Sequence, residues 1–269
     1  MKTLRWLPGI SLALLLLSAC PAAAQNAKLE EILARTGATV SRFLEQMADV
    51  HCHEEVMQEK LSLKGKAEEK AQSEFWYLVI AQTQGNEPML HESRETLHEA
   101  ISKKHVPLLV TNGFATQMLI FHPYYQTSFA YDRLADTQLN GKTYFQIHFQ
   151  HVKGRLSPAV LLLRGREYPL SLAGVALIDP STFAIERITT ELGTRMDDLG
   201  LKSFHSEVEY AAVAFPAASK TYWLPAQATV EVGTPKQRWK NVHRFHDYGM
   251  FTVSTSEQVN TDKLKQKDQ

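Results

Sequence analysis

The residues best suited to chemistry form one short run, His51-Cys52-His53-Glu54. On a β-strand successive side chains alternate, so His51 and His53 project from one face and Cys52 from the other. Two imidazoles on one face can chelate a metal ion, but a tetrahedral site needs further ligands from elsewhere in the chain. The more ordinary interpretation places the histidines on a solvated sheet edge and Cys52 in the core as a small apolar residue. No metal-binding residue is therefore assigned.

The sequence contains a partial match to a catalytic motif but no complete one. The run that starts at His53 has Met57 where a zincin requires its second histidine. The chain also lacks a Gly-x-Ser-x-Gly nucleophile elbow and a glycine-rich phosphate loop with its lysine. These absences favour a protein that is not an enzyme, so no catalytic residue and no cofactor is assigned. A metal-dependent envelope hydrolase that uses the His51/His53 region remains an alternative.

Two runs alternate apolar and polar residues with the period of a strand buried on one face. In the first, Phe145, Ile147 and Phe149 share a parity, and in the second Ala228, Val230 and Val232 do. An antiparallel sheet with one apolar face must pack against helices or curve around something that fills it. These six residues are the predicted lining of an apolar cavity.

A row of basic residues follows the second run. Arg238, Lys240 and Arg244 share one parity, opposite to that of Trp239 and Phe245. Such a row can contact an anionic lipid head group or an acidic partner, although a solvated sheet face is the more common explanation. Across the chain, Lys plus Arg and Asp plus Glu number 29 each, so no overall positive field attracts nucleic acid.

The first 24 residues have the pattern of an export signal: a charged start, an apolar stretch and the small residues Ala22-Ala23-Ala24 before Gln25. The apolar stretch is about half the ~20 residues that span a bilayer, so no transmembrane helix is expected in the mature chain. Leu17-Ser18-Ala19-Cys20 also resembles a lipobox, which would make Cys20 a lipidated first residue. The sequence thus predicts a periplasmic protein, with a membrane anchor through Cys20 as the alternative. By either route Cys52 has no partner for an internal disulfide.

The mature chain begins with an amphipathic helix and continues as strands. Apolar residues recur at helical spacing over Lys28–Met47, and Val50–Leu61 and Ser73–Gln82 are typical strands. Leu108–Phe121 fits either a buried helix or a buried strand, which periodicity cannot separate. The helix, with Asn112 as its cap, is favoured because of Ala115, Gln117, Met118 and Leu119.

Later strands are bounded by turn signals. Asn140-Gly141 marks a hairpin, and Ala159–Leu163 is expected to extend the same sheet as its neighbours. The result is an α+β protein: one large curved antiparallel sheet, a half-open barrel, with helices on its concave face. We expect one domain over residues 25–260 and a disordered polar tail over 261–269.

Several short patterns occur in a familiar order and resemble the lipoprotein-carrier superfamily, in an uncharacterised bacterial branch. They are Gly174-x-x-x-Ile178-Asp179-Pro180-x-Thr182-x-x-Ile185-x-Arg187-Ile188, Glu207-Val208-x-Tyr210, Tyr222-Trp223-Leu224-Pro225 and Phe245-x-Asp247-Tyr248-x-x-Phe251-x-Val253. This superfamily includes the periplasmic carrier of outer-membrane lipoproteins, the sigma-factor regulator that senses stray lipoproteins, and mycobacterial lipid-binding lipoproteins. The resemblance implies a half-open barrel plugged by helices, with an acyl chain bound between them.

The expected function is therefore non-enzymatic binding of an acyl chain, lipid or lipoprotein in an apolar cavity. The expected partners are acyl chains and, in addition, other envelope proteins. A structural or sensor protein of the envelope with a filled barrel is a second alternative, since it requires the same fold without an internal ligand.

Overall fold

The computed structural model describes residues 27–47, 49–97, 111–163 and 165–251. These residues form two α-helices and thirteen strands. The helices are α1 (Leu29–Gln46) and α2 (Pro123–Gln126), with a 3₁₀ helix at Thr116–Phe121 and two shorter 3₁₀ turns later in the chain. The strands are β1 (Val50–Leu61), β2 (Ala67–Gln84), β3 (Glu87–Thr96), β4 (Phe129–Arg133), β5 (Thr137–Leu139), β6 (Lys142–His151), β7 (Val160–Leu163), β8 (Arg166–Pro169), β9 (Leu172–Ile178), β10 (Ile185–Leu192), β11 (Ser203–Phe215), β12 (Lys220–Gly233) and β13 (Arg238–Met250).

Eleven of these strands form one antiparallel sheet in the order β3-β2-β1-β13-β12-β11-β10-β9-β6-β4, with β5 also paired to β6. The sheet is open, and its two ends are β3 and β4. One face is covered by α1, α2 and the 3₁₀ helix, and we call it the inner face. The predicted α+β class, a curved half-open sheet with helices on its concave side, is confirmed.

Two reversals of the chain that the sequence predicts are present in the structure. Asn140 and Gly141 both have positive φ (50° and 77°), which is the type I′ geometry that matches the twist of a hairpin. The reversal before β10 is held by Asp179, whose carboxylate accepts the backbone N–H groups of Ser181 and Thr182 at 2.7 and 3.0 Å.

The segment Ala159–Leu163 does not extend the main sheet, contrary to expectation. Its residues from Val160 onward form β7, which pairs only with β8 in a separate two-stranded sheet. β7 cannot pair with β6, the strand that precedes it along the chain, because β6 is already paired with β9 on one side and with β4 and β5 on the other.

Helix α1 can lie close to the 3₁₀ helix and α2 because residue 37 is a glycine and has no Cβ atom. A Cβ atom at this position would meet the Gln126 amide nitrogen at 2.7 Å and the Phe121 carbonyl oxygen at 3.1 Å. The helix continues past Gly37 without interruption, and Ile32, Thr36, Gly37 and Val40 form its buried stripe. The Gln126 amide also donates to the Leu33 carbonyl at 2.9 Å, which ties α1 to the end of α2.

The expected helix over Leu108–Phe121 is shorter and of a different type. Residues 108–110 lie outside the described part of the chain, and the helical portion is the 3₁₀ helix Thr116–Phe121. Asn112 is not its cap, because its side chain contacts Arg94 and the Glu92 carbonyl on β3. The tighter helix places five of its six residues in the core.

Among the described residues, none of the helices combines the length and apolar character needed to cross a bilayer. The predicted export signal over 1–24 with Cys20 and the predicted tail over 261–269 lie outside the described residues.

Candidate functional site: the inner face of the sheet

The residues predicted to line a cavity lie together on the inner face. Phe145, Ile147 and Phe149 of β6 and Ala228 and Val230 of β12 are at most 1% exposed. Val232, at the end of the same row, is half-buried and packs between the main core and a smaller cluster of leucines. The alternation in the sequence thus identified the inner face correctly, and these side chains are core residues of the structure.

The space in front of this lining is occupied by the chain itself. Phe121, the last residue of the 3₁₀ helix, packs edge-on against Phe149, with ring centroids 6.0 Å apart. Phe114, just before the helix, is held by its carbonyl, which accepts the Tyr210 hydroxyl at 2.6 Å. We call residues 111–126, which include the 3₁₀ helix and α2, the cover segment.

One carboxylate anchors the start of the cover segment to strand β3. Glu92 accepts the backbone N–H groups of Gly113, Phe114 and Thr116 at 2.8, 2.8 and 2.7 Å. It also accepts the hydroxyls of Thr116, at 2.7 Å, and of Tyr77. Backbone donors that the 3₁₀ helix cannot satisfy internally are therefore paired with a charged acceptor, which makes the hydrogen bonds stronger.

A second carboxylate organises a chain of buried polar groups beside this anchor. Glu54 on β1 and His243 on β13 are 0% and 2% exposed, and the His243 Nδ1 lies 2.8 Å from a Glu54 oxygen. Arg94 on β3 binds both oxygens of Glu54. On the other side of the imidazole, His243 Nε2 lies 3.0 Å from the Thr111 hydroxyl, and Asn241 donates to the same hydroxyl at 3.4 Å. The chain thus connects three strands to the first residue of the cover segment.

Burial and pairing set the charges of this polar chain. Burial opposes ionisation of Glu54, but the hydrogen bonds from His243 and Arg94 outweigh it, and the pKa of the carboxyl falls below its ordinary value. Burial also lowers the pKa of His243, against the opposing effect of Glu54. Neutral His243 then donates Nδ1–H to Glu54 and accepts the Thr111 hydroxyl proton at Nε2.

The order hydroxyl, imidazole, carboxylate is that of a nucleophile activated by a base. Two contacts argue against nucleophilic catalysis here. Arg94 occupies both oxygens of Glu54, and the amides of Gly113 and Phe114, which closely follow Thr111 in the chain, are already bonded to Glu92. The arrangement is better suited to holding the cover segment in place than to attacking a substrate.

The basic row predicted on β13 lies on the face opposite His243 and is partly neutralised. Glu231 of β12 pairs with Arg238 at 3.2 Å and with Lys240 at 3.3 Å, whereas Arg244 is exposed. A head-group role for these three residues remains a prediction.

The run His51-Cys52-His53 lies in β1, which is flanked by β2 and β13 and is therefore not a sheet edge. Cys52 points inward and is fully buried and free, as expected. His51 and His53 are half-buried on the opposite, outer face. Their environment there is described below.

The outer face also carries a cleft of about 530 Å³. It is lined by residues of β5, β6, β9 and β10, among them Gln146, His148, Val175 and Arg187. Gln146 and His148 have the parity opposite to that of Phe145, Ile147 and Phe149. This cleft is therefore on the other side of the sheet from the predicted lining.

Sequence reasoning missed the polar chain of Glu54, Arg94 and His243 and the anchor Glu92. The alternation of residues along the strands could have shown that Glu54 and His243 are buried. Glu54 shares the parity of Cys52 and Val56, and His243 shares that of Trp239 and Phe245, so each is a polar residue in a row that also carries apolar residues. Charged residues are almost never fully buried unless they are paired, which makes such a position a marker of a buried network.

The chain matches no protein-family model and no curated protein. Solved structures do show similarity. A putative outer-membrane lipoprotein-sorting protein domain from Vibrio parahaemolyticus aligns with a TM-score of 0.40 and 10% identity, over 86% of this chain and 99% of that one. A DUF1329 family protein from Desulfovibrio piger aligns with a TM-score of 0.45 and 9% identity, over 84% and 94% of the two chains.

The MucA/MucB complex of Pseudomonas aeruginosa also aligns, with a TM-score of 0.22 and 8% identity, over 81% of this chain and 99% of that one. With no sequence family matched, membership of the lipoprotein-carrier superfamily stays a prediction.

Proposed function

We propose that the protein is an exported, non-enzymatic binding protein that holds the acyl chain of a lipid or lipoprotein against the inner face of its sheet. The observation that carries the proposal is that part of the cover over the apolar lining is a short segment outside the sheet. The inner face, with its apolar lining of Phe145, Ile147, Phe149, Ala228 and Val230, is covered by α1 and, in addition, by the short 3₁₀ helix, whose Phe121 packs against Phe149. Displacing such a segment leaves every strand pair of the sheet intact.

The polar contacts that anchor the cover segment can be exchanged for contacts with water when it is displaced. Its start is held by hydrogen bonds to Glu92 and to the chain of His243 and Glu54, groups that water can also satisfy when the segment lifts. Its apolar residues leave behind an apolar lining that an acyl chain can cover, at about 0.8 kcal/mol for each methylene buried. The acyl chain would replace the apolar side chains of the segment.

A second candidate is a structural or sensor protein of the envelope whose interior is permanently filled. The burial of five of the six residues of Thr116–Phe121 favours it. The two candidates differ in one property, whether the cover segment leaves the lining at an accessible free energy.

Displacement of a fluorescent fatty acid distinguishes the two, with Glu92→Gln as the test variant. The amide keeps the size of Glu92 but replaces one acceptor oxygen with a donor, which faces the N–H groups of Gly113 and Phe114 at one oxygen position or that of Thr116 at the other. The binding protein predicts saturable binding by the wild type and tighter binding by Glu92→Gln, because less free energy is needed to open the cover. Glu95→Gln, an exposed residue on the same strand, is the matched control and leaves the affinity unchanged. Absence of binding in all three folded proteins removes the proposal and leaves the filled structure.

Location is tested separately. Export is inferred from the N-terminal pattern, so the N-terminus of the protein from envelope fractions should begin at Gln25, or at a blocked, detergent-extracted Cys20 if the lipobox is used. An intact Met1 on a cytosolic protein would contradict export by either route.

A further inference from the structure

The outer face has an irregularity where β1 and β13 pair. His53 lies opposite His246, but His51 lies opposite Gly249, so β13 contains one more residue than β1 across this step. Such a β-bulge re-aims side chains and is common beside functional sites. Asp247, within the bulge, has φ of 54°, a left-handed conformation that is uncommon for a residue other than glycine.

The bulge brings together donors from both strands. One ligand atom from each of His53, His246 and Asp247 lies within 4.8 Å of the others. The carboxylate of Glu55, two residues after His53 and on the same face of β1, lies 3.6 Å from His246 Nε2. Zn²⁺ takes imidazole nitrogens and carboxylate oxygens at about 2.0–2.2 Å, in tetrahedral sites. The Asp247 carboxylate lies 2.8 Å from the other ring nitrogen of His246, Nδ1, so Asp247 and Glu55 flank opposite nitrogens of one imidazole, and an ion bound at Nδ1 has His53, His246 and Asp247 as its protein ligands.

His53 itself is pre-positioned and has unused hydrogen-bonding capacity. Its ring stacks on Trp76, with centroids 5.6 Å apart and planes 26° from parallel. Its Nε2 atom is buried and has no hydrogen-bond partner among the described residues. A buried polar atom without a partner requires an explanation, and an ion is one of those that apply. An imidazole fixed by an aromatic neighbour also loses less rotational freedom when it binds a metal.

His51 is not part of this set. Its ring packs against Trp76 and Phe251 and lies directly over Gly249, where a Cβ atom would meet it at 2.6 Å. The ligands therefore come from two strands, and the pair His51 and His53 that the sequence emphasises is not the chelating pair.

We propose that His53, His246 and Asp247 form a three-ligand binding site for a divalent transition-metal ion, with Zn²⁺ favoured by the donor set. The site links β1 to β13 across the bulge on the outer face, away from the apolar lining. It is therefore independent of acyl-chain binding, and either proposal can fail without the other.

The test uses untagged protein of residues 25–269, stripped of metal by a chelator and titrated with ZnCl₂ by calorimetry. The proposal predicts one ion per chain and a Zn²⁺-dependent rise in melting temperature, because the ion binds the folded state. His246→Ala and Asp247→Asn weaken binding by about tenfold or more. Asn tolerates the left-handed backbone at position 247, so this variant keeps the bulge and the fold.

The matched control is His148→Ala, which removes another half-exposed outer-face histidine that lies 3.5 Å from a carboxylate, Asp132. Its Zn²⁺ affinity should equal that of the wild type. Titration with Ni²⁺ adds an optical readout, since an ion beside His53 quenches the fluorescence of Trp76 in the wild type and not in Trp76→Phe. No stoichiometric binding by the wild type, or unchanged affinity in both His246→Ala and Asp247→Asn, overturns the proposal.

Discussion

At the scale of single residues, Cys52 shows how burial decides the chemistry of a side chain. It is fully buried, and burial raises the pKa of its thiol to about 12, so at neutral pH it is not a thiolate nucleophile. We expect Cys52→Ala to cost about 1–2 kcal/mol of stability through the lost packing and to leave ligand binding unchanged. A thiol reagent should label Cys52 only after denaturation. Rapid labelling of the native protein, or loss of binding in folded Cys52→Ala, would contradict this.

His243 makes stability depend on pH. Its pKa is lower in the folded protein than its ordinary value of 6.5, so below that value the unfolded chain binds more protons and stability falls as the pH falls. Glu54 acts in the same direction at lower pH, because its folded pKa lies below 4.5 and its stabilising charge is lost as the pH drops through that folded value. Urea unfolding between about pH 7.5 and about pH 5 measures the first effect.

In that experiment His243→Gln is the informative variant. It keeps a polar side chain beside Glu54 but does not titrate, so its stability should vary less across the His range than that of the wild type. His205→Gln removes a half-buried histidine beside Glu191 on the outer face and should retain the wild-type pH dependence. If His243→Gln and the wild type show the same dependence, His243 is not the group responsible.

Single residues also show which parts of the site can be predicted from the sequence and which cannot. Alternation alone placed Phe145, Ile147 and Phe149 in the core, because the parity of a strand follows directly from its geometry. Pairing among Glu54, Arg94 and His243 could not be predicted, since it depends on β13 lying beside β1, and on β3 lying on the far side of β2, over long separations in sequence.

At the scale of elements, the contact between α1 and the cover segment depends on Gly37. In an exposed helix, Gly→Ala stabilises by about 1 kcal/mol through helix propensity. Here the added Cβ meets the Phe121 carbonyl at 3.1 Å and Pro123 at 3.3 Å, so α1 or the cover segment must shift. We therefore expect Gly37→Ala to lower the melting temperature and to speed hydrogen exchange in the 3₁₀ helix.

Ala38→Gly provides the comparison, because Ala38 is an exposed neighbour on the same helix. It should lower stability by about 1 kcal/mol through propensity alone and leave exchange in the 3₁₀ helix unchanged. A more stable Gly37→Ala protein would show that the close approach of α1 has no energetic consequence.

Elements were predicted well where local pattern decides them and poorly where neighbours do. β1 and the hairpin at Asn140-Gly141 follow from alternation and turn chemistry, and both are as expected. The pairing of β7 with β8 depends on the edges of β6 being occupied, and the 3₁₀ form of Thr116–Phe121 accompanies the pairing of its leading amides with Glu92. Neither cause is visible in the local sequence.

At the scale of the whole molecule, the two faces of one sheet are suited to different ligands. The inner face is apolar apart from the buried polar chain and is closed by α1 and the cover segment, whereas the outer face presents imidazoles and a carboxylate at the β1–β13 bulge. Because alternate residues of the same strands serve the two faces, a substitution on one face leaves the side chains of the other in place. Inner and outer variants can therefore separate the two proposals in one protein.

The inner face is tested most directly at Val230, which is 1% exposed in the middle of β12. Val230→Asp places a carboxylate in the lining, and an unpaired buried charge is costly unless water reaches it. If the cover segment moves to admit an acyl chain, water can enter when the site is empty, so the variant folds with reduced stability and loses the ligand. Fatty-acid displacement together with circular dichroism measures both properties.

Two further variants keep this prediction open to refutation. Gln227→Asp adds the same charge at an exposed position of β12 and should bind as the wild type does. Ala228→Leu adds volume to the lining without charge and should weaken binding, because the added methylenes occupy space that the acyl chain needs. If Val230→Asp does not fold, Ala228→Leu still reports on the lining. Binding equal to that of the wild type in both folded lining variants would place any bound acyl chain elsewhere, and the outer cleft of about 530 Å³ would be the next surface to test.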